Sequence, residues 1–110
     1  MIEPEVLFPL LSGVLALLGI PQWIAMVGPN RFYGVRTPAT LADEAVWYAV
    51  NRAAGRDLVF AGGAGMLLSL LLPELGVSGA PYSILMALAL AGGGLLVAIV
   101  AFARVRRLRL

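Results

Sequence analysis

Three long stretches without a charged residue leave this chain little choice of solvent. The first, Val6 to Val27, has 22 residues, or about 33 Å as a helix, enough to cross a hydrocarbon core of about 30 Å. The third, Pro81 to Ala103, has 23. Between them Leu58 to Leu72 has 15, about 22 Å, which is short for a crossing. The missing length lies upstream, where Val46, Trp47, Val50 and Ala54 make an apolar stripe at helical spacing. Thr40 is placed to cap that helix, with Asp43 and Glu44 in its first turn. The expected elements are therefore helices over about 6–27, 41–72 and 81–103, with Pro73 marking the end of the second. The chain reads as all-α: an integral membrane three-helix bundle with a structured cytoplasmic loop between its first two helices.

Composition agrees. Of 110 residues, 61% are hydrophobic and 13% charged, against about 25% charged in ordinary soluble domains. A soluble fold this apolar would expose large sticky patches. The first segment opens with Glu3 and Glu5 rather than a basic region, so it is expected to be a membrane helix and not a cleaved secretory signal.

All eight basic residues are arginine, and four of them (Arg31, Arg36, Arg52, Arg56) fall between the first two apolar stretches. The other four follow the third stretch, while the N-terminus and the Pro73–Ala80 connection carry only acids. Basic residues near membrane ends stay cytoplasmic. Three crossings satisfy that rule with the N-terminus outside and the C-terminus inside. A basic tail directly after a membrane helix is expected to hold the helix end against anionic lipid headgroups rather than to bind nucleic acid. The absence of Lys beside abundant Ala, Gly, Val and Arg hints at a GC-rich prokaryotic genome.

Chemistry-bearing side chains are scarce. Cys and His are absent, which removes the usual zinc, haem and iron–sulfur ligand sets and any thiolate nucleophile. No intramembrane carboxylate is expected to act as a proton relay, so no enzymatic activity and no cofactor are expected. Gly63 and Gly65 form no nucleotide fingerprint, lacking the third glycine and a preceding strand. Small residues four apart, Ala61/Gly65 and Gly94/Ala98, suit close helix approach, either inside the bundle or in a homo-oligomer.

The connection from Pro29 to Gly55 is the most informative segment. Gly34 permits a turn with positive φ, and Pro38 disfavours helix at Thr37, so the chain is expected to stay extended as far as Thr40. Asn51 lies one turn after Trp47 and one before Gly55, a polar and small-residue stripe at or near membrane depth. Phe32, Tyr33, Trp47 and Tyr48 read as an interfacial aromatic belt, with Arg52 and Arg56 snorkelling. Arg31 and Arg36 outnumber nearby acids. The Arg36 guanidinium is expected to fold back on the start of the second helix, meeting backbone carbonyls, Asp43 or Glu44.

Asn30, Gly34, Val35, Arg36, Thr37, Pro38, Thr40, Leu41, Glu44, Trp47, Asn51 and Gly55, in this order and spacing, resemble the signature of the SdpI immunity-protein family of small bacterial membrane proteins. One departure is Ala39, where the family often carries an aromatic residue. The family's namesake confers immunity to a secreted peptide toxin and acts as a membrane receptor that sequesters a repressor. It has additional transmembrane helices ahead of the signature unit. The resemblance implies a bacterial plasma-membrane protein that binds a peptide toxin or another membrane protein. The alternative is an accessory subunit packed against a larger membrane enzyme or transporter.

Overall fold

The structure is a computed structural model that describes residues 2–30 and 32–109. The described residues are helical or irregular, 81% of them in helix. Helix α1 spans Pro4–Trp23, a short α2 spans Pro38–Ala42, and α3 and α4 span Glu44–Glu74 and Gly79–Arg109. Three of these, α1, α3 and α4, are long and apolar enough to cross a membrane. They run up, down and up in a bundle of 48 × 23 × 20 Å. The connection between α1 and α3 thus shares one end of the bundle with the end of α4.

Each boundary has a local cause. Pro4 begins α1, where its missing N–H costs nothing. α1 stops at Trp23 rather than at Val27. Met26 N–H bonds the Pro21 carbonyl and Ala25 N–H that of Gln22, with Ala25 at φ 60°. These are the paired bonds of a Schellman stop, made here without glycine. α3 closes in the same way: Val77 N–H reaches the Leu72 carbonyl and Gly76 N–H that of Pro73, with Gly76 at φ 85°.

The expected single helix from Leu41 is instead two. Thr37 is extended (φ −124°, ψ 165°) and caps α2, whose first residue is Pro38. Thr40 is therefore the third residue of α2, closing a capping box with Thr37, and not a cap. Asp43, extended at φ −144°, breaks the chain again and caps α3 by accepting from Ala45 N–H at 2.8 Å. α4 continues helical through the basic tail to Arg109, so the tail arginines are held on a helix.

Packing follows membrane logic. Leu17, Leu67, Leu70, Leu88, Leu95 and Leu96 face outward, while Ser12, Gln22, Asn51 and Ser69 are buried. α1 and α3 meet backbone to backbone through glycine. A Cβ on Gly55 would stand 2.5 Å from Trp23 N and 2.6 Å from Gly19 O, and one on Gly62 2.5 Å from Ala16 N. Small residues allow such closeness, which lipid-solvated helices use in place of a hydrophobic drive. α4 packs on α3 through two apolar clusters. Val50, Ala54, Ala101 and Val105 form one near the connection; Leu72, Tyr82 and Met86 form the other at the far end. There Tyr82 donates to the Ser69 carbonyl at 3.1 Å, and its ring meets Phe8 of α1 edge-on at 5.9 Å.

Candidate functional site: a connection locked onto the second membrane helix

The connection is built on two asparagines. Asn30 organises its first half. Its Oδ1 accepts from Phe32 N–H (2.8 Å) and Tyr33 N–H (2.7 Å), and its Nδ2 donates to the carbonyls of Gly28 (2.8 Å) and Tyr33 (2.9 Å). One side chain thereby satisfies four backbone groups that would otherwise lack partners near the membrane. Gly34 then turns at φ 107° and brings Val35 against α3.

Asn51 receives it. Buried at 2% exposure, it accepts from Val35 N–H at 2.6 Å and from Gln22 Nε2 at 3.0 Å. Its Nδ2 donates to the carbonyls of Trp47 (3.0 Å) and Val35 (3.3 Å). α1, the connection and α3 are tied through one carboxamide. Thr40, fully buried, adds a second tie by donating to the Val35 carbonyl at 2.9 Å and accepting from Thr37 N–H at 2.8 Å. Trp47, also fully buried, donates from its indole to the Val27 carbonyl at 2.8 Å. It is a core residue under the connection, not a member of an interfacial belt.

Asn30, Gly34, Thr37, Pro38, Thr40, Trp47, Asn51 and Gly55 are thus gathered into one folded unit. Arg36 and Glu44 are not. Both are exposed, and Arg36 makes no hydrogen bond or ion pair among the described residues. The expected fold-back onto Asp43 or Glu44 does not occur. The acids it would have met are at the head of α3, and Asp43 is occupied with capping. Arg31, also expected to lack a nearby acid, lies outside the described residues.

Two participants, Gln22 and Asp57, have no role in the sequence expectations, and a third, Tyr33, has a different one from the belt expected of it. Gln22 is a lone amide in an apolar helix; a buried amide in a membrane needs a partner, and that rule was the available signal. Tyr33 has a buried hydroxyl with no hydrogen-bond partner among the described residues, and burial pushes its phenol above the ordinary tyrosine value. Its ring borders a cavity of about 260 Å³ shared with Gln22, Ala54 and Ala98. Asp57 sits inside α3 and accepts from Arg104 of α4 at 2.9 Å and from neighbouring Arg56 at 3.1 Å. Arg52 reaches back to the Trp23 carbonyl at 3.4 Å.

The fold and this unit define a multi-pass membrane protein whose polar side chains hold one connection in a fixed shape. A family model described as the SdpI/YfhL protein family matches residues 26–103, which include the whole locked connection, α3 and most of α4. The chain belongs to that family. No curated protein and no solved structure matches it.

Proposed function

We propose that this protein is a binding or receptor protein of the SdpI type, and that it engages a peptide toxin or a membrane partner through the locked connection. One observation carries the reading. Asn30, Thr40 and Asn51 spend their hydrogen bonds largely on fixing backbone, and the connection so fixed displays Phe32, 89% exposed, and an exposed Arg36 with no partner among the described residues. A preset aromatic and a free guanidinium are what a docking surface needs, because little is lost to ordering when the partner arrives. The same accounting favours binding over catalysis. The Gln22, Asn30 and Asn51 amides and the Thr37 and Thr40 hydroxyls are already engaged, and Asp57 is held by two arginines.

The arginine pattern supports a plasma-membrane orientation with the N-terminus outside and this connection inside. A partner then meets it from the cytoplasm or from within the bilayer. Reporter fusions after Arg107 should read cytoplasmic and those near Gly76 external; an external first connection reverses where the partner docks. The functional test is expression in a sensitive host. Tolerance to a membrane-active peptide should rise, and should fall again with Phe32→Ala plus Arg36→Ala at equal membrane levels. Equal protection by the double variant removes the connection from the binding role.

A second reading, accessory subunit or homo-oligomer, rests on Gly63 and Gly92. Both are exposed on helices, and nothing lies within 4 Å of where a Cβ would stand. Such open glycines suit the close approach of a further helix. Purification from native membranes separates the two: a stoichiometric larger partner favours the subunit, and a solitary bundle favours the receptor.

A further inference from the structure

Near the end of the bundle that carries the connection, the flank away from it holds an arrangement the binding role does not use. Ala49 and Ala53, one turn apart on α3, form a shallow floor. Arg52 and Arg56 stand on one side of it, Arg104 and Arg107 on the other. Four arginines flank this floor, and among the described residues Asp57 pairs with two of them, Arg56 and Arg104. From Arg104 an apolar groove of about 480 Å³ runs between α3 and α4 toward the middle of the bundle, past Phe60, Ala61, Gly93 and Val100.

We infer that this is a site for one anionic phospholipid, with its phosphate among the arginines and an acyl chain in the groove. Charge and shape point to the same occupant. The excess of guanidinium over carboxylate calls for an anion, and the planar forks suit phosphate oxygens. The small side chains of Ala49 and Ala53 leave a headgroup room to approach. The groove is apolar, lies at membrane depth and shares Arg104 with the basic cluster, so one molecule with a charged head and an apolar tail fills both. A soluble anion fills only the first, and a zwitterionic lipid brings an ammonium into a cluster of cations. This differs from general anchoring by a basic tail, where any arginine contributes alike.

The test uses the whole protein in neutral detergent. Lipid occupancy by native mass spectrometry and the shift in melting temperature are measured with phosphatidylglycerol, phosphatidylcholine and soluble glycerol phosphate. Phosphatidylglycerol should bind at one molecule per chain and at least tenfold more tightly than phosphatidylcholine, with glycerol phosphate failing to compete. Arg52→Gln plus Arg107→Gln, which leaves the Asp57 pair intact, should abolish that preference. Arg106→Gln, an exposed arginine outside the cluster, should preserve it. Gly93→Leu should weaken phosphatidylglycerol binding by filling the groove. Equal binding of the two lipids, equal effects of Arg106→Gln and Arg107→Gln, or full competition by glycerol phosphate each overturns the site. Should the double variant fail to fold, Arg107→Gln compared with Arg106→Gln decides the same point.

Discussion

The carboxamide of Asn51 grips both backbone groups of Val35: Oδ1 accepts its N–H at 2.6 Å and Nδ2 donates to its carbonyl at 3.3 Å. A side chain thus does what a paired strand does elsewhere. Asn51→Ala leaves the Val35 N–H and the Gln22 amide without acceptors, and should cost about 1–3 kcal/mol. Asn51→Asp keeps the acceptor but loses the donor and introduces a buried charge, so it should be at least as harmful. Thermal unfolding in detergent checks both against Glu44→Ala, which should melt like the parent.

The glycines separate into two kinds. Gly34→Ala strains a φ of 107° and sets a Cβ 2.7 Å from Asn51 Oδ1; Gly55→Ala sets one 2.5–2.6 Å from α1 backbone. Both should lower stability, Gly55→Ala by wedging α1 from α3. Gly63→Ala meets nothing within 4 Å and should leave the melting temperature unchanged or higher, since alanine is the better helix former. If Gly63→Ala instead impairs function while the bundle stays intact, a partner helix covers that face.

Arg36 carries no structural duty among the described contacts. Arg36→Ala should change stability by less than about 0.5 kcal/mol, as for other surface positions. Any loss of protection in that variant then reports on partner binding. A clear drop in melting temperature would mean the side chain has a structural contact after all.

Tyr33 offers a pH signature. Its hydroxyl is buried without a partner among the described residues, so Tyr33→Phe at neutral pH should be neutral or stabilising by up to about 1 kcal/mol. Burial raises its pKa above 10.0, which means folding favours the protonated phenol. That contribution is complete below pH 10 and is lost as pH rises through the raised value. The parent should therefore lose stability above pH 10 more steeply than Tyr33→Phe. Parallel curves would show that the hydroxyl is solvated.

Element type and order were legible because uncharged length is an unambiguous signal in this chain. Ends were legible where the stop has a residue marker. Pro73 announces the end of α3, whereas α1 turns off at Ala25 amid apolar residues that continue to Val27. Pro38 disfavours helix at the residue before it, but its fixed φ also suits the first helical position, so α2 begins there. Asn51 stood out as a polar residue among small ones. Its partners did not, since Gln22 lies 29 positions away and Val35 16, and no local pattern encodes such pairs. Asp57 has Arg56 beside it in sequence, but only the folded α4 brings Arg104 to its other oxygen.

The two connections differ in what they would tolerate as carriers of foreign sequence. The one between α1 and α3 is stapled at Asn30, Val35 and Thr40, so an epitope inserted after Arg36 would pull the staple apart. The turn between α3 and α4 is exposed, and its glycines at 76 and 79 have open space around them. A tag between Val77 and Ser78 should leave the bundle intact. That rim is the place for a fluorophore or an affinity handle that keeps the opposite face free for whatever docks there.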